Sequence, residues 1–401
     1  MNAPWDQRPR GPLAGVRVLE IGGIGAAPYG CMMLADMGAD IIRVERPAGG
    51  PLASPPNDPQ LRSRRSIALD LKDPRAVEIL MKLVVRSDVL VEAHRPGVAE
   101  RLGFGPDACL AANPKLVYAR LTGYGQTGPM ARAAGHEINY LAMSGLLHQI
   151  GTADGTPVLP LNVVGDFGGG GLLMAFGVLC AYIESQRSGR GQVVDAAMVD
   201  GATSFLSMAL GQMAAGLWRD APGVNWLSGR SHCYDTYRTS DGRWVAVGAL
   251  EPQFHRVLLE RLGLDYAEFQ AGEFRMDGAR YDELIEEIWP RLKPRVATAF
   301  AARTQAEVLA LFEGTDACVT PVLSIAEAQQ HPHHLGRGTY VSVGGQLQNA
   351  PTPRFSRSRP AAPVPAPEIG EHTAAVLAEL GYSEEEIGVL VAARAVATKD
   401  S

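Results

Sequence analysis

Apolar and polar positions along this chain alternate between short apolar runs and longer stretches with helical spacing. In VRVLEIGGIGAAPYGCMMLADMGADIIRVER, residues 16–21 and 40–44 are short apolar runs, and residues 26–37 carry apolar positions at helical intervals. The pattern predicts strand, helix, strand, with Gly38 as the helix stop. DPRAVEILMKLVVRSDVLVEA repeats the helix-then-strand order, and NPKLVYARLTGYG adds a strand. A helix is expected from Gly168 to about Arg187, then a strand running into a long helix over GQVVDAAMVDGATSFLSMAL. This alternation predicts an α/β domain built on a largely parallel sheet.

The character changes after about residue 225. YDTYRTSDGRWVAVGAL reads as a hairpin with Ser240, Asp241 and Gly242 at its turn. PQFHRVLLERLGL, RYDELIEEIWPRL and TQAEVLALFEG read as helices, and ACVTPVLSIAEAQQHPH as a strand and short helix. The expected division is a large Rossmann-like domain over 1–190, a linker helix over 191–227 and a small α+β domain over 228–330. Residues 331–401 form a proline-rich return linker and a C-terminal segment of the large domain. No internal repeat or coiled-coil pattern is visible.

Composition narrows the function. The 401 residues are 46% hydrophobic and 20% charged, ordinary for a globular chain of two or more domains. Net charge is −6, which argues against general nucleic-acid affinity, so any anionic ligand needs a local basic site. The five cysteines show no CxxC spacing, which points to neither zinc nor a disulfide framework and fits a reducing cytoplasm. The opening MNAPWDQRPRGPLAG has no apolar leader core, and the apolar run over 172–183 is too short to cross a bilayer. The expectation is a cytoplasmic protein with no membrane partner.

Several stretches carry candidate chemistry. NVVGDFGGGG sets Asp166 before four glycines, whose entropic cost needs an offset such as close approach of the backbone to a ligand. Asp is also among the best helix caps, and on this stretch alone both roles stand. GHEINY puts His136 beside Glu137 at a helix start, where a structural histidine is the commoner outcome. The loop after the first strand gives Gly23 and Gly25 but Pro28 where a dinucleotide fingerprint needs its third glycine, which argues against a nicotinamide cofactor. Arg43, Arg46, Arg62, Arg64, Arg65, Lys72, Arg95 and Arg101 form a basic cluster that fits phosphate or simply a solvated surface. Glu251 reads as a helix cap before Pro252, and the HPHH run at residues 331–334 as a surface loop rather than a metal site.

Taken together, these stretches resemble the family III CoA-transferase superfamily (the CaiB/BaiF type), and within it the racemase branch that acts on α-methylacyl-CoA. The resemblance rests on GPLAGVRVLEIGGIGAAPYGCMMLADMGADIIRVERP, SIALDLKDP, VEAHRPGVAERLGFG, NPKLVYARLTGYGQTGP, GHEINYLAMSGLL, NVVGDFGGGG, SGRGQVVDAAMVDG, YDTYRTSDGRWVAVGALEPQF and PAPEIGEHTAAVLAELGYSEEEI, in order along nearly the whole chain. It implies a ring-shaped chain in an obligate interlocked homodimer, with the site between the large domain of one subunit and the small domain of the other. It also implies His136 and Asp166 as a pair of proton-transfer groups on opposite faces of an enolate. Glu251 of a partner subunit would support His136, while Glu137, standing where Asp is expected, and Asn162 would serve Asp166.

The same resemblance lays the CoA moiety on Ile24, Arg46, Leu71, Lys72, Arg95, Arg101, Tyr124 and Gly125. Tyr234 would line the acyl cleft, with an acyl surface rich in methionine nearby. N–H groups at Gly168 and Gly169 are expected to steady the enolate oxygen. No metal or redox cofactor is required, because CoA arrives as part of the thioester. The implied reaction is racemisation of 2-methylacyl-CoA thioesters in fatty acid metabolism. The rival is a CoA-transferase in which Asp166 is a covalent nucleophile moving CoA between carboxylic acids.

Overall fold

The computed structural model describes residues 11–49, 55, 57–274 and 278–401; most of the N-terminal stretch read for a leader lies outside them. The chain forms two compact units. One comprises residues 1–144, 161–204 and 337–401, the other residues 145–160 and 205–336. Residues 145–160, expected in the large domain, and the 205–227 part of the expected linker thus belong to the second unit. Residues 331–336, expected in the return linker, belong there too.

The first unit is built on six parallel strands: β1 (Arg17–Ile21), β2 (Asp40–Glu45), β3 (Arg65–Leu69), β4 (Val89–Glu92), β5 (Val117–Thr122) and β6 (Gln192–Ala197). They lie in the order β3-β2-β1-β4-β5-β6, and a short strand, Val396–Ala397, pairs antiparallel with β3 at the edge. The sheet reverses direction of growth between β1 and β4, the switch point where doubly wound sheets hold ligands beyond the carboxyl ends of their strands.

Helices cover both faces, which explains why β4 and β5 are buried along their whole length and read as near-continuous apolar runs. Leu19, Ile67 and Leu90 pack with Ile79, Leu80 and Leu83 of the Pro74–Val85 helix in one core. Asp73 caps that helix by accepting from the Arg75 N–H, and Pro74 sits where no donor is missed. Val18, Val89 and Val117 pack with the Ala26–Asp36 and Leu173–Ser188 helices in the other core.

Two departures matter for the site. The helix expected from Gly168 begins at Val163 and continues to Ser188, which makes it 26 residues and, by length and composition, long and apolar enough to cross a membrane. Here it packs on the Ala26–Asp36 helix and on β5 and β6. Its first part, Val163–Leu172, is wound as a π-helix, with the Phe167 N–H donating to Asn162 C=O at 3.3 Å. The edge strand at Val396–Ala397 and a hairpin of Tyr340–Val343 with Gln346–Asn349 also lie in the tail, where a connector and a helix were expected.

The second unit contains the expected hairpin, Tyr234–Arg238 with Trp244–Gly248, extended by Val319–Pro321 into a three-stranded antiparallel sheet. Pro252–Leu262, Trp289–Ala301 and Gln305–Phe312 are helical, and their buried Leu258, Leu259, Trp289, Val296 and Val308 form its core with Tyr237 and Val245. Thr304 and Ser324 close capping boxes with Glu307 and Glu327.

Candidate active site

At the switch point, the loop leaving β1 meets the chain leaving β4: a Cβ added at Gly23 would touch Ala93 at 3.7 Å. Gly25 has φ +69°, and a Cβ there would stand 3.2 Å from Asp166 Oδ2. Only glycine suits both the backbone angle and the approach of that carboxylate. Asp166 is therefore brought to the carboxyl end of β1 from a helix far along the chain.

His136 immediately precedes the Glu137–Ser144 helix and is exposed. It lies near enough to Asp166 for its charge to act on that carboxyl. Burial raises the Asp166 carboxyl above the ordinary carboxylate range, while a hydrogen bond from Asn162 and the charge of His136 pull it back. Glu137 is buried, and its Oε1 accepts from the Gly165 N–H at 2.7 Å. Its carboxyl is raised by burial and by the charge of Asp166, and lowered by the backbone N–H groups of Gly165, Asp166 and Val164. Glu137 thus caps the N-terminus of the Asp166 helix from a different segment, and ties the His136 and Asp166 elements together. His136, Glu137, Asn162 and Asp166 form one cluster.

This arrangement revises the reading of the glycine run. Asp166 is not an N-cap; Asn162 holds that position and Asp166 lies four residues inside the helix. Glycines 168–171 are helix interior as well, so their N–H groups fall within the helix ladder. At three of the four positions the close approach is helix to helix. A Cβ at Gly169 would lie 2.8 Å from the Ala202 nitrogen, at Gly170 3.1 Å from Ala26 Cβ, and at Gly171 2.9 Å from the Gly30 nitrogen. Gly169, expected to contact substrate, is buried in that packing. The helix N-terminus beside His136 is that of Glu137–Ser144, where the Asn139 N–H already donates to the His136 carbonyl and the N–H groups of Glu137 and Ile138 lie ahead of the helix ladder.

The basic cluster divides in two. Arg43, Arg62 and Arg64 are buried and Arg65 nearly so, and all four are ion-paired with Glu20, Asp36, Asp40, Glu45 or Glu379. Arg46, Lys72, Arg95 and Arg101 remain exposed. Lys72 and Arg101 line, with Leu71, Val77, Met81 and Leu102, an open groove of about 960 Å³. Ile24 is 52% exposed, and Tyr124 stands edge-on to Tyr140 with centroids 5.0 Å apart. Gly125 is buried with φ +83°, beside Ala197 and Asp195. Of the methionines expected on an acyl surface, Met143 is 59% exposed and Met174 is core.

Tyr234 and Glu251 belong to the second unit. Tyr234 lines a cleft of about 560 Å³ with Leu227, Gly248 and Cys318. Glu251 occupies the N-cap position of Pro252–Leu262 but makes no side-chain cap bond, so its exposed carboxylate is not used as the sequence pattern suggested. The sequence pattern did not single out Tyr140 of the GHEINY stretch, whose hydroxyl donates to the Gly135 carbonyl just ahead of His136. Its position four residues after His136, one helical turn, was the available signal.

Fold and cluster together define a doubly wound α/β protein with an imidazole and a carboxylate at its switch point. More particularly, residues 13–373 match the family described as CoA-transferase family III, and the chain belongs to that family. It is 45% identical to the alpha-methylacyl-CoA racemase of Mus musculus, over 94% of this chain and 95% of that one. It is 43% identical to the protein of the same name from Homo sapiens, again over 94% and 95%. Among solved structures, a CAIB/BAIF family protein from Brucella suis superposes with a TM-score of 0.76 at 27% identity, covering 92% of this chain and all of that one.

Proposed function

We propose that this chain is an isomerase that interconverts (R)- and (S)-2-methylacyl-CoA thioesters by 1,1-proton transfer. The observation that carries the reading is the adjacency of His136 and Asp166 at the switch point, with burial holding a proton on Asp166 more readily than on a free carboxylate. Neutral His136 takes the α-proton and becomes imidazolium; the electron pair passes to the thioester oxygen as an enolate. Asp166 in its acid form then donates a proton to the opposite face of the α-carbon and is left as carboxylate. In the reverse direction the two exchange roles. Each proton transfer group contributes about 10²–10⁴-fold. The N–H groups of Glu137 and Ile138, which open the helix after His136, rather than those of the glycine run, are the donors assigned to the enolate oxygen.

In this reading the CoA portion lies along Ile24, Arg46, Leu71, Lys72, Arg95, Arg101, Tyr124 and Gly125, and the reaction needs no cofactor beyond the CoA of its substrate. The active form is an interlocked homodimer in the cytoplasm. Glu251 and Tyr234 of one subunit complete the site of the other. The exposed Leu172, Phe176 and Ile183 on the Asp166 helix support a face covered by another chain.

A single enantiomer of 2-methylacyl-CoA incubated in D₂O tests the reading by NMR of the α-proton. Wild-type protein is expected to exchange that proton with loss of optical purity, and His136→Ala and Asp166→Ala to lose at least a hundredfold. The family description favours one alternative, CoA transfer through an Asp166 acyl anhydride and thioester. CoA turnover only after a free carboxylic acid is added, with no α-exchange, would establish it instead.

A further inference from the structure

His136 is exposed, yet a proton-transfer imidazole has to hold its aim, since an error of about 1 Å costs on the order of 10²-fold. What fixes it is visible in the peptide unit that precedes it. The Gly135–His136 peptide has its N–H and its carbonyl bonded to two side chains of the same helix. The His136 N–H donates to Asn139 Oδ1 at 3.0 Å, and the Tyr140 hydroxyl donates to the Gly135 carbonyl. The helix closes the same turn from below, with the Asn139 N–H donating to the His136 carbonyl at 2.9 Å.

Tyr140 is itself held. Its ring is buried, stands at 87° to Tyr124, and fills the space that side chains on Gly123 and Gly135 would otherwise occupy. A Cβ on Gly135 would lie 2.8 Å from the Tyr140 ring and 3.0 Å from the Tyr124 hydroxyl. The Tyr140 ring is therefore wedged between the loop leaving β5 and the loop entering His136. Its hydroxyl also feels both flanks of the site, since burial, Tyr124 and Asp166 raise it while Arg95 lowers it.

We propose that Asn139 and Tyr140 are positioning residues: together they clamp the Gly135–His136 peptide and so set the direction in which the imidazole projects. Two bonds on opposite ends of one peptide unit fix its rotation, which neither bond alone does. This inference rests on the racemase reading, because it assigns the clamp to one of the two proton-transfer groups.

The prediction is asymmetric. Tyr140→Phe and Asn139→Ala lower α-proton exchange in D₂O about 10- to 100-fold for the enantiomer whose proton His136 takes. Exchange of the other enantiomer, served by Asp166, stays within about twofold. Asn139→Asp, which keeps the acceptor, recovers most of the Asn139→Ala loss. Equal losses for both enantiomers, or no loss, would overturn the clamp. Histidine-selective ¹⁵N NMR of the full-length protein gives a second readout that does not depend on turnover. The His136 ring resonances are expected to shift or broaden in both variants, and unchanged resonances reject the clamp. Wild-type protein that exchanges neither enantiomer sinks the racemase reading instead, and leaves the clamp to be judged by the ring resonances alone.

Discussion

Glu20, fully buried in the first unit, faces two guanidinium groups: Arg43 Nη1 at 2.5 Å and Arg64 Nε at 2.6 Å. Nearby, Asp36 and Arg62 form a second buried pair. His232, fully buried in the second unit, faces another imidazole, with its Nε2 2.8 Å from Nε2 of His255. That contact requires one nitrogen to carry a proton and the other to lack it, so at least one ring is neutral. Burial pushes His232 down to about 3, helped by the His255 charge, and His255 to about 4, against the opposing charge of Glu273. The first unit thus buries these charges in pairs, whereas the second holds this pair of imidazoles without charge. The desolvation cost is offset in the first case by a partner, and in the second it is avoided for as long as the rings stay unprotonated.

The largest expected effect comes from removing the partner. Glu20→Ala leaves the buried Arg64 without its carboxylate and Arg43 with Glu45 alone, and removing one member of a buried pair costs about 3–5 kcal/mol. Urea unfolding followed by far-UV circular dichroism measures it. A loss below about 1 kcal/mol would show that water reaches the pair, and would remove the contrast between the two units.

Next in size is acid. An unfolded histidine takes up its proton near pH 6.5, and the folded pair only at about 3 and 4. Between these limits the unfolded chain binds more protons, so stability is complete above pH 6.5 and falls as pH drops toward 4. The slope is about 1.4 kcal/mol per pH unit for each imidazole that stays neutral in the fold. Trp218, Trp226, Trp244 and Trp289 all lie in the second unit, so their fluorescence follows it directly. In the double variant His232→Leu, His255→Phe the slope should shrink by about the same amount, since replacing both partners by apolar groups leaves nothing unpaired. An unchanged slope would move the acid sensitivity elsewhere.

The comparison also explains what the sequence could convey. Strand and helix order, the largely parallel sheet and the hairpin at Tyr234 were legible because period-2 and period-3.6 patterns are local, whereas the order of strands across the sheet is set by contacts between distant segments. The basic cluster was not, because the partners that neutralise it are distant in the chain: Arg64 finds Glu20, and Arg65 finds Glu379. Half of what looked like a phosphate site is buried ionic scaffold. The glycine run correctly signalled close backbone approach, but nothing local says whether a ligand or a helix approaches. Gly201 and Gly30, which meet the run, lie some 30 and 140 residues away. The pairing of His136 with Asp166 was read from motif order, whereas Glu137 capping the Asp166 helix depends on a contact between segments that spacing does not encode.

The smallest effect sharpens the contrast by repeating the chemistry of Glu20 in the open. In the second unit, Arg219 bridges Asp282 at 2.8 Å and Glu286 at 2.6 Å, a two-carboxylate arrangement that mirrors the two guanidiniums around Glu20. Here all three side chains are substantially exposed, so water already solvates each charge before and after the pair breaks. Glu286→Gln is expected to cost less than about 1 kcal/mol, because an exposed pair returns little after side-chain ordering is counted. Raising salt from about 0.05 M to about 0.5 M should erase even that, since the screening length then falls well below 10 Å. The Glu20→Ala loss should survive the same salt, because ions do not enter its site. Parallel urea titrations of both variants at the two salt concentrations decide the matter. If the Glu286→Gln cost persisted at high salt, geometry rather than burial would govern what an ion pair contributes in this protein.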